Sequence, residues 1–121
     1  MAEAFARAYG SDVLIPASAG LSPAPRVATD TLAAMAEKGL DLRDHFPKSI
    51  RHLGRAEFDL VVNMSGCNLP EVPAARIAEW DVGDPISMNY EDHCAVRDQI
   101  ETLVIRLVLN LRSEALRYCR A

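Results

Sequence analysis

Phe58-Asp59-Leu60-Val61-Val62-Asn63-Met64 is rich in β-branched residues and apolar almost throughout. That is the text of a strand covered on both faces, not of one with a wet side. Ser65-Gly66-Cys67-Asn68-Leu69-Pro70 supplies a turn at its carboxyl end. Upstream, Val13-Leu14-Ile15 is a shorter apolar run, read as a strand that passes into the small residues Ala17-Ser18-Ala19-Gly20. Before it, Met1 to Tyr9 reads as a helix, with Phe5 and Tyr9 four apart on one face and Gly10 as its stop. After it, Ser22-Pro23-Ala24-Pro25 offers a hydroxyl cap and prolines. The helix that follows carries Val27, Thr31, Leu32, Met35 and Ala36, and Gly39-Leu40 ends it in a left-handed stop.

Asp41 to Glu57 is polar and basic, with Pro47 and a short helix near Ser49 to Leu53. Arg76 to Val82 is a weaker strand leading to Asp84-Pro85 and the loop Ile86 to Asn89. From Tyr90 or Glu91 one long helix runs to about Cys119, with Ile100, Leu103, Val104, Leu107, Val108 and Leu111 on the 3.6-residue period. Ile105 and Leu109 widen that stripe, and so wide an apolar arc asks for more than one surface to pack against. Strands alternating with helices imply βαβ units, a parallel sheet and right-handed crossovers. The expected fold class is therefore α/β, in three layers, with a long C-terminal helix.

The 121 residues suffice for one domain, 1–121, with a single core. Half the residues are apolar and 25% are charged, as in an ordinary globular protein. A net charge of −4 gives no electrostatic footprint for nucleic acid or an anionic membrane. Leu103 to Leu111, the longest apolar run, is short and broken by Arg106 and Asn110, so no segment reads as membrane-spanning. The N-terminus has no signal pattern, and three cysteines make no disulfide framework, so a cytoplasmic protein is expected. His45, His52 and His93 are scattered without ligand spacing and read as surface histidines, with no metal and no cofactor expected.

In parallel sheets ligands collect at the carboxyl ends of the strands. Ser18-Ala19-Gly20, Ser65-Gly66-Cys67 and Asp84-Pro85 all fall at such ends. The residue before a proline is held out of helical geometry, so Asp84 stands on a fixed loop, as a proton donor or as a polar turn residue. Cys67 is a redox candidate or a small turn residue. Ser18, Ser65, Pro85 and Tyr90 are candidates to line the cleft. Cys94 and Cys119 lie on helix faces, and Asp92-His93-Cys94 point in different directions, so they form no triad. Arg43, Lys48, Arg51 and Arg55 make a basic segment that reads as a solvated face or as a surface for an anionic partner.

Met1-Ala2-Glu3-Ala4-Phe5, Ser18-Ala19-Gly20, Phe58-Asp59-Leu60-Val61-Val62, Asp84-Pro85 and Arg97-Asp98-Gln99-Ile100 occur in this order over nearly the whole chain. In this the chain resembles low-molecular-weight protein tyrosine phosphatases and their thioredoxin-linked arsenate reductase relatives. Trp80 to Asp84 and the Arg97-Asp98 helix lean towards the reductases, whereas Met64 to Leu69 looks closer to the phosphatases. The resemblance implies a four-stranded parallel sheet and a Cys-x5-Arg loop between the first strand and first helix. There a thiolate at a helix N-terminus attacks a phosphate or arsenate cradled by backbone N–H groups and the arginine. By position Asp84 matches the acid that protonates the leaving oxygen.

The 121 residues contain no Cys-x5-Arg: Cys67 and Cys94 are followed six residues later by Pro73 and Ile100. The chain matches the family from just after that loop. It is thus expected to lack the first, central strand, with Met1 an internal methionine of a longer reading frame, and to be inactive alone. Neighbouring strands would then carry unpaired edges, to be closed by direct pairing, rearrangement or a second copy, and a homodimer is expected. A natural non-catalytic pseudo-phosphatase acting as an interaction or assembly module is the alternative. Phosphate, arsenate or a phosphoprotein would be the partner once the loop is present.

Overall fold

The structure is a computed structural model that describes residues 1–21, 26–53, 57–70, 74–83 and 89–119, with backbone alone at 117–119. Its elements are α1 (Ala2–Gly10), α2 (Thr29–Ala36), a 3₁₀ turn (Ile50–Leu53), β1 (Phe58–Asn63), β2 (Ala74–Glu79) and α3 (Tyr90–Cys119). β1 and β2 pair in parallel, with Val61 opposite Ile77 and Asn63 opposite Glu79. The protein is thus α/β, a small parallel sheet with a long closing helix.

The three helices share one core. Phe5 and Met35 are fully buried, and Ala4, Leu42, Val96, Ile100, Val104 and Val108 complete the cluster. The α3 members recur every four residues, so one side of that helix meets α1 and α2, close to the 3.6-residue period. Gly10 is needed where α1 meets α3: a Cβ there would lie 2.6 Å from Val108 Cγ2. Gly10 ends α1 as the sequence reading expects, and does so with an ordinary backbone: among the described residues the glycines with positive φ are Gly39 and Gly66. Its smallness serves packing, not chain reversal. Gly39, at φ +76°, does end α2, with the Leu40 N–H donating to the Met35 carbonyl at 3.0 Å.

The strand expected at Val13-Leu14-Ile15 does not form. The Val13 and Leu14 N–H groups both donate to the Gly10 carbonyl at 3.0 Å, prolonging the helix end. Pro16 has no N–H to offer a ladder, and Ile15 is 98% exposed. An isolated parallel bridge among the described residues, Gly20 with Ser49, marks where this segment touches strand-like chain. Among the described residues it makes no backbone bond to β1, so direct pairing does not close the sheet. The side of α3 bearing Ile105, Leu109 and Leu116 is exposed.

Polar clamps bind the helices where the core ends. Arg97, only 7% exposed, donates to the Ala34 carbonyl at 2.9 Å and pairs with Glu37 and Asp98 at 2.7 and 2.8 Å. The Tyr9 hydroxyl donates to Glu101 at 2.7 Å, and Lys38 reaches the same carboxylate at 3.1 Å. Arg112 donates to the Tyr9 carbonyl and to both oxygens of Asp12. No helix among the described residues is long and apolar enough to cross a membrane.

Candidate active site at the carboxyl end of the sheet

β1 ends in Asn63, and the next residues turn away from the sheet through Gly66, whose φ of +71° suits glycine. β2 ends at Glu79, and Trp80 to Gly83 continue beside it. These two exits, the start of α1 at Met1 and Ala2, Thr31 of α2 and Ile100 of α3 enclose a cavity of about 730 Å³. Met1 caps α1 without a side-chain hydrogen bond, so the positive end of the helix dipole stands at the cavity wall. Gln99 of α3 donates to the Asp81 carbonyl at 3.1 Å and braces the β2 exit.

Ser65 lines the cavity, but its hydroxyl donates to Asn63 Oδ1 at 2.6 Å and accepts the Cys67 N–H at 3.1 Å. Cys67 is exposed on the same turn. Ser18 is not among the cavity-lining residues: it donates to Glu3 Oε1 at 3.0 Å. Glu3, in the first turn of α1, also takes His45 Nδ1 at 3.3 Å and lies 3.8 Å from Lys48 and 3.7 Å from Arg7. Tyr90 opens α3 away from the cavity lining; partial burial, then Cys94 and Glu37 beside it, push its phenol up to about 12. The Cys94 thiol sits 3.6 Å from both Glu37 and Arg97. Asp84 and Pro85 lie outside the described residues, which reach the cavity at Gly83.

His93 corrects the surface reading given to all three histidines. It is 1% exposed, with Nε2 3.0 Å from the Thr31 hydroxyl behind the cavity wall. The signal was available: His93 stands four residues before Arg97 and seven before Ile100, on the buried stripe of α3. Among the described residues no cluster of His, Cys, Asp or Glu could hold a metal ion.

The cavity lies at the carboxyl ends of parallel strands and faces a helix start. The family model for low molecular weight phosphotyrosine protein phosphatase matches residues 1–117. The chain belongs to this family. A glutaredoxin arsenate reductase of Synechocystis sp. is 30% identical over 115 residues, which is 92% of this chain and 87% of the relative. A putative arsenate reductase of Halobacterium salinarum is 30% identical over 90 residues, covering 73% and 63% of the two chains. Among solved structures, an arsenate reductase in the phosphate binding state superposes with a TM-score of 0.79 at 26% identity, covering 91% of this chain and 86% of the other. An arsenate reductase in the reduced state gives 0.77 at 28% identity, covering 90% and 86%. The family match thus runs over α1, α2, β1, β2 and nearly all of α3.

Proposed function

We propose that this chain carries the acid-bearing part of a phosphatase or arsenate reductase site, and that the cavity is where the oxyanion chemistry of the family takes place. The observation that carries this reading is the meeting of the α1 start with the exits of β1 and β2 around one cavity. The family's reaction needs a thiolate to form a bond to phosphorus or arsenic, an arginine to hold the oxyanion, and an acid to protonate the leaving oxygen. Asp84 is the acid. The nucleophile and arginine of a Cys-x5-Arg loop are not among the 121 residues, so this chain alone turns nothing over.

The test is hydrolysis of p-nitrophenyl phosphate and reduction of arsenate, with and without a Cys-x5-Arg-Ser loop grafted directly ahead of Met1. The 121-residue chain is expected to be silent, and turnover by it would overturn the proposal. The grafted chain is expected to gain activity that Asp84→Asn lowers by about 10²- to 10⁴-fold. The same lack of a Cys-x5-Arg supports the second reading, a non-catalytic module; a grafted chain that stays silent while folded favours it. Both readings include self-association, supported by the Leu14–Ala19 segment, which joins no ladder among the described residues, and by the exposed side of α3.

A further inference from the structure

Asn63 is 4% exposed, and its neighbours fix which way its amide points. The Ser65 N–H can only donate, so it faces Oδ1, at 3.0 Å. The Cys67 carbonyl can only accept, so it faces Nδ2, at 2.8 Å. Oδ1 also receives the Ser65 hydroxyl at 2.6 Å, and Nδ2 reaches Glu79 Oε1 at 3.3 Å. The backbone carbonyl of Asn63 accepts the Trp80 N–H at 2.9 Å. One buried residue therefore bonds to the turn leaving β1 and to the segment leaving β2, and both of these are walls of the cavity. Among the described residues no other side chain joins those two walls.

We propose that Asn63 is the positioning residue of this site, on the reading of the cavity given above. It holds the two rims at a set separation, so a bound group meets one preformed mouth instead of two independent loops. The chemistry demands an amide. Aspartate would keep the acceptor for Ser65 but lose the donor to the Cys67 carbonyl and set a carboxylate against Glu79. An apolar residue would leave the Ser65 N–H without its acceptor and the Ser65 hydroxyl with only the Cys67 carbonyl, at 3.3 Å. Because the N–H and carbonyl of Cys67 are both engaged through this network, the same residue also fixes the backbone that carries the exposed thiol.

Amide hydrogen exchange of the 121-residue chain tests this. In Asn63→Ala the Ser65 and Cys67 amides should exchange roughly tenfold faster, while Val61 and Val62 within the ladder stay within about twofold of wild type. In Asn63→Asp at neutral pH the Cys67 amide should likewise speed up. Adding Glu79→Gln puts a donor opposite the new carboxylate and should recover part of the lost protection, since the bond to the Cys67 carbonyl stays broken. A residue that merely stabilises the fold would speed β1 and its turn together and show no recovery. Unchanged turn amides, joint acceleration of the ladder, unfolding of the variants or absence of rescue would each overturn the assignment. Turnover by the grafted chain reports on the site reading, and exchange reports on Asn63, so the two fail separately.

Discussion

Phe5, Gly10 and Arg97 show three different ways in which a single side chain sets stability. Phe5 is completely buried and stacks on Tyr9 with ring centroids 5.9 Å apart. Phe5→Ala should cost about 3–5 kcal/mol in urea unfolding, from lost transfer energy and the cavity left behind. Gly10→Ala is the opposite error. The new methyl collides with Val108, and a loss of about 1–3 kcal/mol is expected, largely relieved when Val108→Ala is added. Arg97 is legible in the sequence as a charge within a motif, but no pattern says that Ala34 will offer it a carbonyl from another helix. Asn63 likewise reads as one more residue of the Phe58–Met64 strand until its four side-chain bonds are seen.

At the scale of elements, the carboxylates that clamp the helices give the protein an acid limit. The Tyr9 hydroxyl and then Lys38 hold Glu101 below its ordinary value, and Arg97 does the same for Glu37. Groups with a depressed folded pKa contribute stability that is present above the unfolded value, about 4.3 for glutamate, and is lost as pH falls through the folded one. Thermal midpoints should be flat at neutral pH and decline in acid, and Glu101→Gln should flatten that decline. A midpoint that does not fall below pH 4 would contradict the clamp. The helices were readable because long periodic segments carry their own signal. The Val13–Ile15 strand was not, because a ladder depends on a neighbour that local composition cannot report: Phe58 to Asn63 found β2, and Leu14 to Ala19 found no ladder.

For the whole molecule, the family and the α/β class could be read from the order of weak motifs, which survives even where one strand fails to form. What could not be read was the enclosure of the site. Met1, Thr31, Ser65, Trp80 and Ile100 come together only when five segments meet, and their sequence separations carry no hint of it. Self-association also belongs to this scale. Light scattering at micromolar concentration should show a dimer or larger species, and Leu109→Lys, on the exposed side of α3, should shift it towards monomer with helicity unchanged. A wild-type monomer under those conditions would remove the proposal.

Trp80 is the one tryptophan of the chain, and it forms part of the cavity wall. The protein therefore carries a built-in optical sensor at the place where chemistry is proposed. Indole emission depends on the polarity around the ring, so a grafted loop that seats beside Met1 should announce itself as a spectral shift before any substrate is added. Seating and catalysis can then be scored separately: a loop that docks without reacting gives light but no product.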